Sequence, residues 1–170
     1  MESLPEYHIG VLLRSRNLKL AVVESCTGGL IGHRITNIPG SSDYYLGSVV
    51  AYAYEAKERL LGVKHETLLT YGAVSPETAL EMASGIRQAL SPDFGLDHVV
   101  GLSITGIAGP GGGLPGKPVG LAWCGLSTPT FQRAFQILHH GDRQENKAVF
   151  ADRTLQILIG YLEDNLPPDE

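Results

Sequence analysis

An apolar run over residues 18–23 stops abruptly at Glu24-Ser25-Cys26-Thr27-Gly28-Gly29, after which Leu30, Ile31 and Ile35 resume at helical spacing. That order predicts a strand, a tight turn and a helix start, with Ser25 on the turn. Upstream, residues 2–16 predict a helix with Ile9, Leu12 and Leu13 on one side. Pro39-Gly40-Ser41-Ser42 then breaks the chain before a second strand over residues 47–52, β-branched and bounded by glycine. This strand runs straight into Glu55-Ala56-Lys57-Glu58-Arg59-Leu60-Leu61, good helix formers closed by Gly62. Ser75-Pro76-Glu77 starts another helix, with a serine cap and proline at the first helical position. It should run to about Leu90 and bury Ala79, Met82, Ala83, Ile86 and Leu90.

Residues 97–104 read as a third strand, apolar enough to be central. Two more, over residues 119–126 and 131–138, flank a Ser127-Thr128-Pro129-Thr130 turn and suit an antiparallel hairpin. The last helix opens at Asp142-Arg143-Gln144-Glu145, a capping-box pattern. Its expected core stripe is Ala148, Ala151, Leu155, Leu158 and Leu162, and residues 165–170 should fray. Strands interleaved with helices predict an α/β fold, a three-layer α/β/α sandwich on a mixed, mostly parallel sheet. With 170 residues and no linker or repeat, a single domain over residues 1–170 is expected.

Composition narrows the function classes. A formal charge of −5 and no run of Lys or Arg argue against a nucleic-acid surface. No apolar stretch is long enough to span a bilayer, so no membrane partner is expected. The two cysteines, Cys26 and Cys124, fit neither a metal spacing nor a disulfide framework. With no signal-peptide pattern, reduced thiols point to the cytoplasm. The six histidines are scattered, and adjacent His139 and His140 would face opposite sides of a strand, so no metal site is expected.

The candidate chemistry lies on the strand-to-helix turns. A helix start leaves N–H groups unpaired and favours anions, so Ser25 and Thr27 read either as helix caps or as part of a reactive turn. Tyr52 and Lys57 occupy a like junction, and parallel strands would put both junctions on one edge of the sheet, joined there by Thr105. For Lys57 the plainer reading is a solvated helix lysine beside Glu55 or Glu58. Arg143 in the first turn of a helix opposes the macrodipole at about 0.3–1 kcal/mol. Either Asp142 and Glu145 offset it, or an anionic ligand does. Gly111, Gly113 and Gly116 fit the dinucleotide fingerprint literally, yet Pro115 and Pro118 lead into a strand instead of a helix, which excludes that use. The segment 105–118 is then a long irregular loop, structural or a wall where backbone approaches a ligand.

Taken in order, several motifs resemble the competence/damage-inducible CinA C-terminal domain family. They are Glu24 through Gly29, Pro39 through Ser42, Tyr52 with Glu55-Ala56-Lys57, Leu60 through Val63, and Gly72-Ala73-Val74-Ser75. Thr105 through Gly112 and Gly141-Asp142-Arg143 continue the likeness. The likeness spans about residues 5–165, and the motifs together are specific where one alone is not. The resemblance implies a stand-alone nicotinamide-nucleotide amidase that converts nicotinamide mononucleotide to nicotinate mononucleotide and ammonia in pyridine-nucleotide salvage. Longer relatives carry a further N-terminal domain with pyrophosphatase activity, which is not expected of this chain. Tyr54 and Ala53 depart from the small polar residues usual there, and the larger Tyr54 would narrow the pocket.

Under that reading Ser25 is the nucleophile and Lys57 the base, a serine–lysine variant of the triad. Lys57 must then lose its proton, through burial and a neighbouring cation, for which Arg143 is the choice. Tyr52 would relay a proton or position Lys57, and the backbone amides of Cys26, Thr27 and Gly28 would hold the oxyanion. Arg143 would grip the substrate phosphate while Thr105 and Gly106 line the ribose-phosphate side. No cofactor is implied, the partner is a small nucleotide, and relatives suggest a homo-oligomer. The alternative is a nucleotide-binding module of the same fold that acts through a protein partner without catalysis.

Overall fold

Alternation along the first strand decides the layout. In the computed structural model, which describes residues 4–91, 93 and 95–166, β1 is Lys19–Glu24. Leu20 and Val22 point to one face of the sheet and Ala21 and Val23 to the other, all without exposed surface. The first pair joins a core with α1 (Pro5–Ser15), α2 (Leu30–Thr36) and α6 (Arg143–Leu162). The second pair packs under α3 (Tyr54–Leu61), α4 (His65–Tyr71) and α5 (Pro76–Ala89). A strand buried on both faces reads as an unbroken apolar run, which explains residues 18–23.

The sheet is ordered β2-β1-β3-β4-β5, with β2 at Tyr45–Val50, β3 at Val99–Gly106, β4 at Leu121–Ser127 and β5 at Gln132–Leu138. β2, β1 and β3 are parallel; β4 runs against β3 and β5 against β4, so β4 alone is reversed. The fold is therefore the mixed, mostly parallel α/β/α sandwich that the pattern predicts. Layer spacing is set by small residues: a Cβ on Gly101 would lie 2.1 Å from the Ala83 carbonyl oxygen of α5, and one on Gly125 2.2 Å from that of Ala79. Between them Ser103 Oγ donates to the Ala79 carbonyl at 2.6 Å and accepts from Gly125 N–H at 3.1 Å, so α5 lies directly on β3 and β4.

Several details differ from the sequence reading. β2 ends at Val50, because the next two carbonyls, Ala51 and Tyr52, turn away from the ladder to accept from Lys57. α4 was not anticipated; it is seven residues long and buries only Thr67 and Leu68, too weak a stripe for periodicity to register. In α6, Ala148 is exposed, and Asn146, Phe150 and Thr154 fill the inward positions around Ala151, Leu155, Leu158 and Leu162. Leu90 is half-buried at the end of α5. Thr105 and Gly106 belong to β3, and only the chain beyond them is irregular. The expected first-helix residues 2 and 3 and the fraying end 167–170 lie outside the described residues.

Candidate active site

The turn after β1 is built by the same alternation. Ser25 still pairs as a strand residue, its N–H donating to Ile104 O at 3.0 Å, and Glu24 O accepts from Ala51 N–H at 2.9 Å. Successive side chains therefore part: Glu24 faces the α2 side and Ser25 the α3 side. Glu24, fully buried, takes the N-terminus of α2 for itself. Its Oε2 accepts from Thr27 Oγ1 (2.6 Å), Gly29 N–H (3.1 Å) and Ile31 N–H (3.1 Å), and its Oε1 accepts from Gly32 N–H (2.8 Å). The helix end expected to greet a substrate anion is thus filled by the chain's own carboxylate. Neither Ser25 nor Thr27 is the cap; Gly29, at φ 99°, occupies that position.

On the other side, Lys57 Nζ lies 3.0 Å from Ser25 Oγ. The side chain has 0% exposure and folds back along α3, so that Nζ also donates to Ala51 O at 2.7 Å and Tyr52 O at 2.9 Å. This is no solvated lysine. Burial drives its pKa down from 10.5 to about 8. Arg143 is not among the causes; its guanidinium is held elsewhere, donating to Gly109 O at 2.6 Å and to Tyr52 Oη at 3.2 Å. The neighbouring Cys26 thiol is pushed up to about 12 by burial, so it stays neutral and unreactive.

A cavity of about 220 Å³ opens beside the turn, lined by Cys26, Tyr52, Arg143 and the glycine-rich backbone from Gly106 to Gly112. Across Arg143 lies a wider hollow of about 670 Å³ between Pro110, Val119 and Gly141 to Gln144. The amides of Cys26 and Thr27 donate to no backbone carbonyl among the described residues, whereas Gly28 N–H is spent on Ser25 O at 3.2 Å. Gly106 lines the cavity, but Thr105 does not. As an odd residue of β3 it faces the α5 side, and its hydroxyl donates to Ala73 O at 2.8 Å. Tyr52 meets Lys57 through its carbonyl, and its exposed phenol meets Arg143 instead. Tyr54 lies away from the cavity, its Oη accepting from Ala73 N–H at 3.3 Å.

Three residues near the site escaped the sequence reading. Glu24 could have been found by counting alternation through the strand end. Asn146, buried in α6, donates to Ala108 O at 3.0 Å and Gly141 O at 2.9 Å and so fixes the loop behind Arg143. Lys147, half-buried one turn after Arg143, carries its Nζ toward the 26–29 turn; a Cβ on Gly28 would lie 3.8 Å from it.

Among the described residues no helix is long and apolar enough to cross a membrane. A CinA-like protein of Salinibacter ruber is 49% identical over 148 residues, covering 87% of this chain and 34% of that protein. The chain spans about a third of the length of the curated relatives it matches. Among solved structures, a competence-damaged protein (CinA) superfamily protein of Klebsiella pneumoniae superposes with a TM-score of 0.86 at 28% identity, over 94% of this chain and 96% of that one. The competence/damage inducible protein of Agrobacterium tumefaciens gives 0.80 at 35% identity, over 92% and 96%. The CinA C-terminal domain profile matches residues 3–162, nearly the whole chain, and on that footing, with the fold and the turn motifs in agreement, this protein belongs to the CinA C-terminal domain family.

Proposed function

We propose that this chain is a nicotinamide-nucleotide amidohydrolase, hydrolysing the carboxamide of nicotinamide mononucleotide through a serine nucleophile and a lysine base. The observation that carries the reading is the 3.0 Å contact between buried Lys57 Nζ and Ser25 Oγ. A neutral amine has two N–H groups and one lone pair. Ala51 O and Tyr52 O take up the two N–H groups, which leaves the lone pair for the Ser25 hydroxyl. With a pKa of about 8, that neutral form is accessible near physiological pH.

In the reaction Ser25 Oγ attacks the carboxamide carbon as its proton passes to Lys57 Nζ. The oxyanion forms against the amides of Cys26 and Thr27, which donate to no backbone carbonyl among the described residues. Lys57 then returns the proton to the departing nitrogen, ammonia leaves, and an ester remains on Ser25. A water attacks that ester with Lys57 again as base, which frees the nicotinate product and restores the hydroxyl. The cavity of about 220 Å³ falls below the usual range for a whole drug-sized ligand, about 300 Å³ upward, so it suits the pyridine ring and carboxamide. The ribose and phosphate then extend toward Arg143 on the wall of that cavity. The chemistry uses no metal or cofactor.

Ammonia release from nicotinamide mononucleotide by the purified chain tests the proposal, with Ser25→Ala as the control. Release by the parent and none by the variant is the expected result. Thermal stabilisation by the nucleotide with no ammonia from the parent would overturn catalysis in favour of a binding module.

A further inference from the structure

α6 presents three residues to the site from its first turn and a half. Arg143 reaches Gly109 O, Asn146 reaches Ala108 O, and Lys147 extends over Gly28. Arg143 and Lys147 are four residues apart and so share one face of the helix. Arg143 thereby meets the glycine loop and Lys147 the 26–29 turn. Arg143 and Lys147 form no ion pair within 4.0 Å among the described residues; the salt bridges lie elsewhere. Lys147 lies near enough to the Cys26 thiol to act on it, as Lys57 does, against the larger effect of burial.

Two like charges at this spacing repel, and both sit where a helix favours anions. Glu24, the carboxylate nearest the turn, is turned to α2 and saturated by four donors. Asp142 is likewise committed, capping Gln144 N–H at 2.8 Å and Glu145 N–H at 2.9 Å. Glu145 accepts from Asp142 N–H at 2.9 Å, so among the described residues no carboxylate pairs with either cation within 4.0 Å. A dianion spanning Arg143 and Lys147 would supply the counter-charge.

We infer that Lys147 is the second cation of a phosphomonoester clamp with Arg143, and that it makes the site prefer a nucleotide over the corresponding nucleoside. This rests on the amidase reading for the identity of the substrate, but not for the clamp itself. Ribose 5-phosphate, which has no amide, is the direct probe. Calorimetric titration of the parent, Lys147→Gln and Lys147→Arg should show binding weakened about tenfold or more in the glutamine variant, and recovered to within about threefold in the arginine variant. Added salt should weaken binding to the parent more than to Lys147→Gln. Equal affinity in parent and Lys147→Gln, or no binding by the parent, overturns the clamp.

Turnover gives a second reading. For nicotinamide mononucleotide, kcat/KM should fall about tenfold or more in Lys147→Gln, chiefly through KM, and clearly more than for nicotinamide riboside. An equal fall for both substrates would place Lys147 at the reacting carbonyl and overturn the clamp. Phosphate binding that follows Lys147 in a chain releasing no ammonia would sink the amidase reading and leave the clamp standing.

Discussion

Replacing Lys57 by methionine keeps the reach of the side chain and removes its nitrogen, which turns the burial of an amine into a measurable slope. The folded chain holds Lys57 at about 8 against an ordinary 10.5. Below about pH 8 the unfolded lysine binds its proton more readily than the folded one, and the parent carries a penalty of about 3 kcal/mol. Between about 8 and 10.5 the folded amine is already neutral, so stability climbs with pH; above that window the penalty is gone. Lys57→Met carries no such term. Losing the hydrogen bonds to Ala51 O and Tyr52 O also costs the variant, but by an amount independent of pH. Denaturant titrations of both chains from about pH 6.5 to about pH 10 should therefore show the variant's relative stability falling by about 2–3 kcal/mol across the range. A flat difference would refute the claim that this amine is held near neutrality, and the base would go with it.

Activity should follow the same proton: kcat/KM for the amide should fall about tenfold per pH unit below about pH 8, and a profile level from pH 6 to 9 would exclude Lys57 as the group that must be neutral. Ser25→Ala should cost about 10²-fold or more in turnover while binding nucleotide as the parent does, checked by single-turnover assay and calorimetry. Arg143→Ala should chiefly raise KM, since its contact is expected to be the same before and during reaction; an equal loss in kcat argues for a role at the carbonyl. Glu24→Ala strands four donors, three of them buried, and should lose about 3 kcal/mol or more of stability by chemical denaturation. Gly85→Ala would set a Cβ 2.0 Å from the Leu61 carbonyl oxygen, so α3 and α5 must separate; a loss of about 2–3 kcal/mol is expected by the same measurement.

How much of this was legible in the chain depends on the kind of signal. The layers follow from period: β1 is apolar on both faces, β3 is apolar on the face toward α6, and α5 and α6 announce themselves by Ser75-Pro76 and by the Asp142–Glu145 box. The Ser25–Lys57 juxtaposition follows from topology, because parallel neighbours put their following turns on one edge. What stayed hidden depends on side-chain direction past the regular strand. Thr105 is polar and well placed in sequence, yet parity turns it from the cavity toward Ala73. Tyr52 matters to Lys57 through a carbonyl, which any residue would supply. Lys147 was invisible because a lysine in a helix is the commonest of surface residues, and only the packing of α6 over Gly28 makes it otherwise.

The buried acid beneath the turn has a consequence for how this molecule could be altered. Because Glu24 anchors the loop from below, the seat of the Ser25 hydroxyl is braced by the chain itself and not by anything resting above it. A thiol could replace the hydroxyl there without the socket being rebuilt, and a new chemistry would inherit a ready-made frame. Loosen that one strut and the frame goes with it.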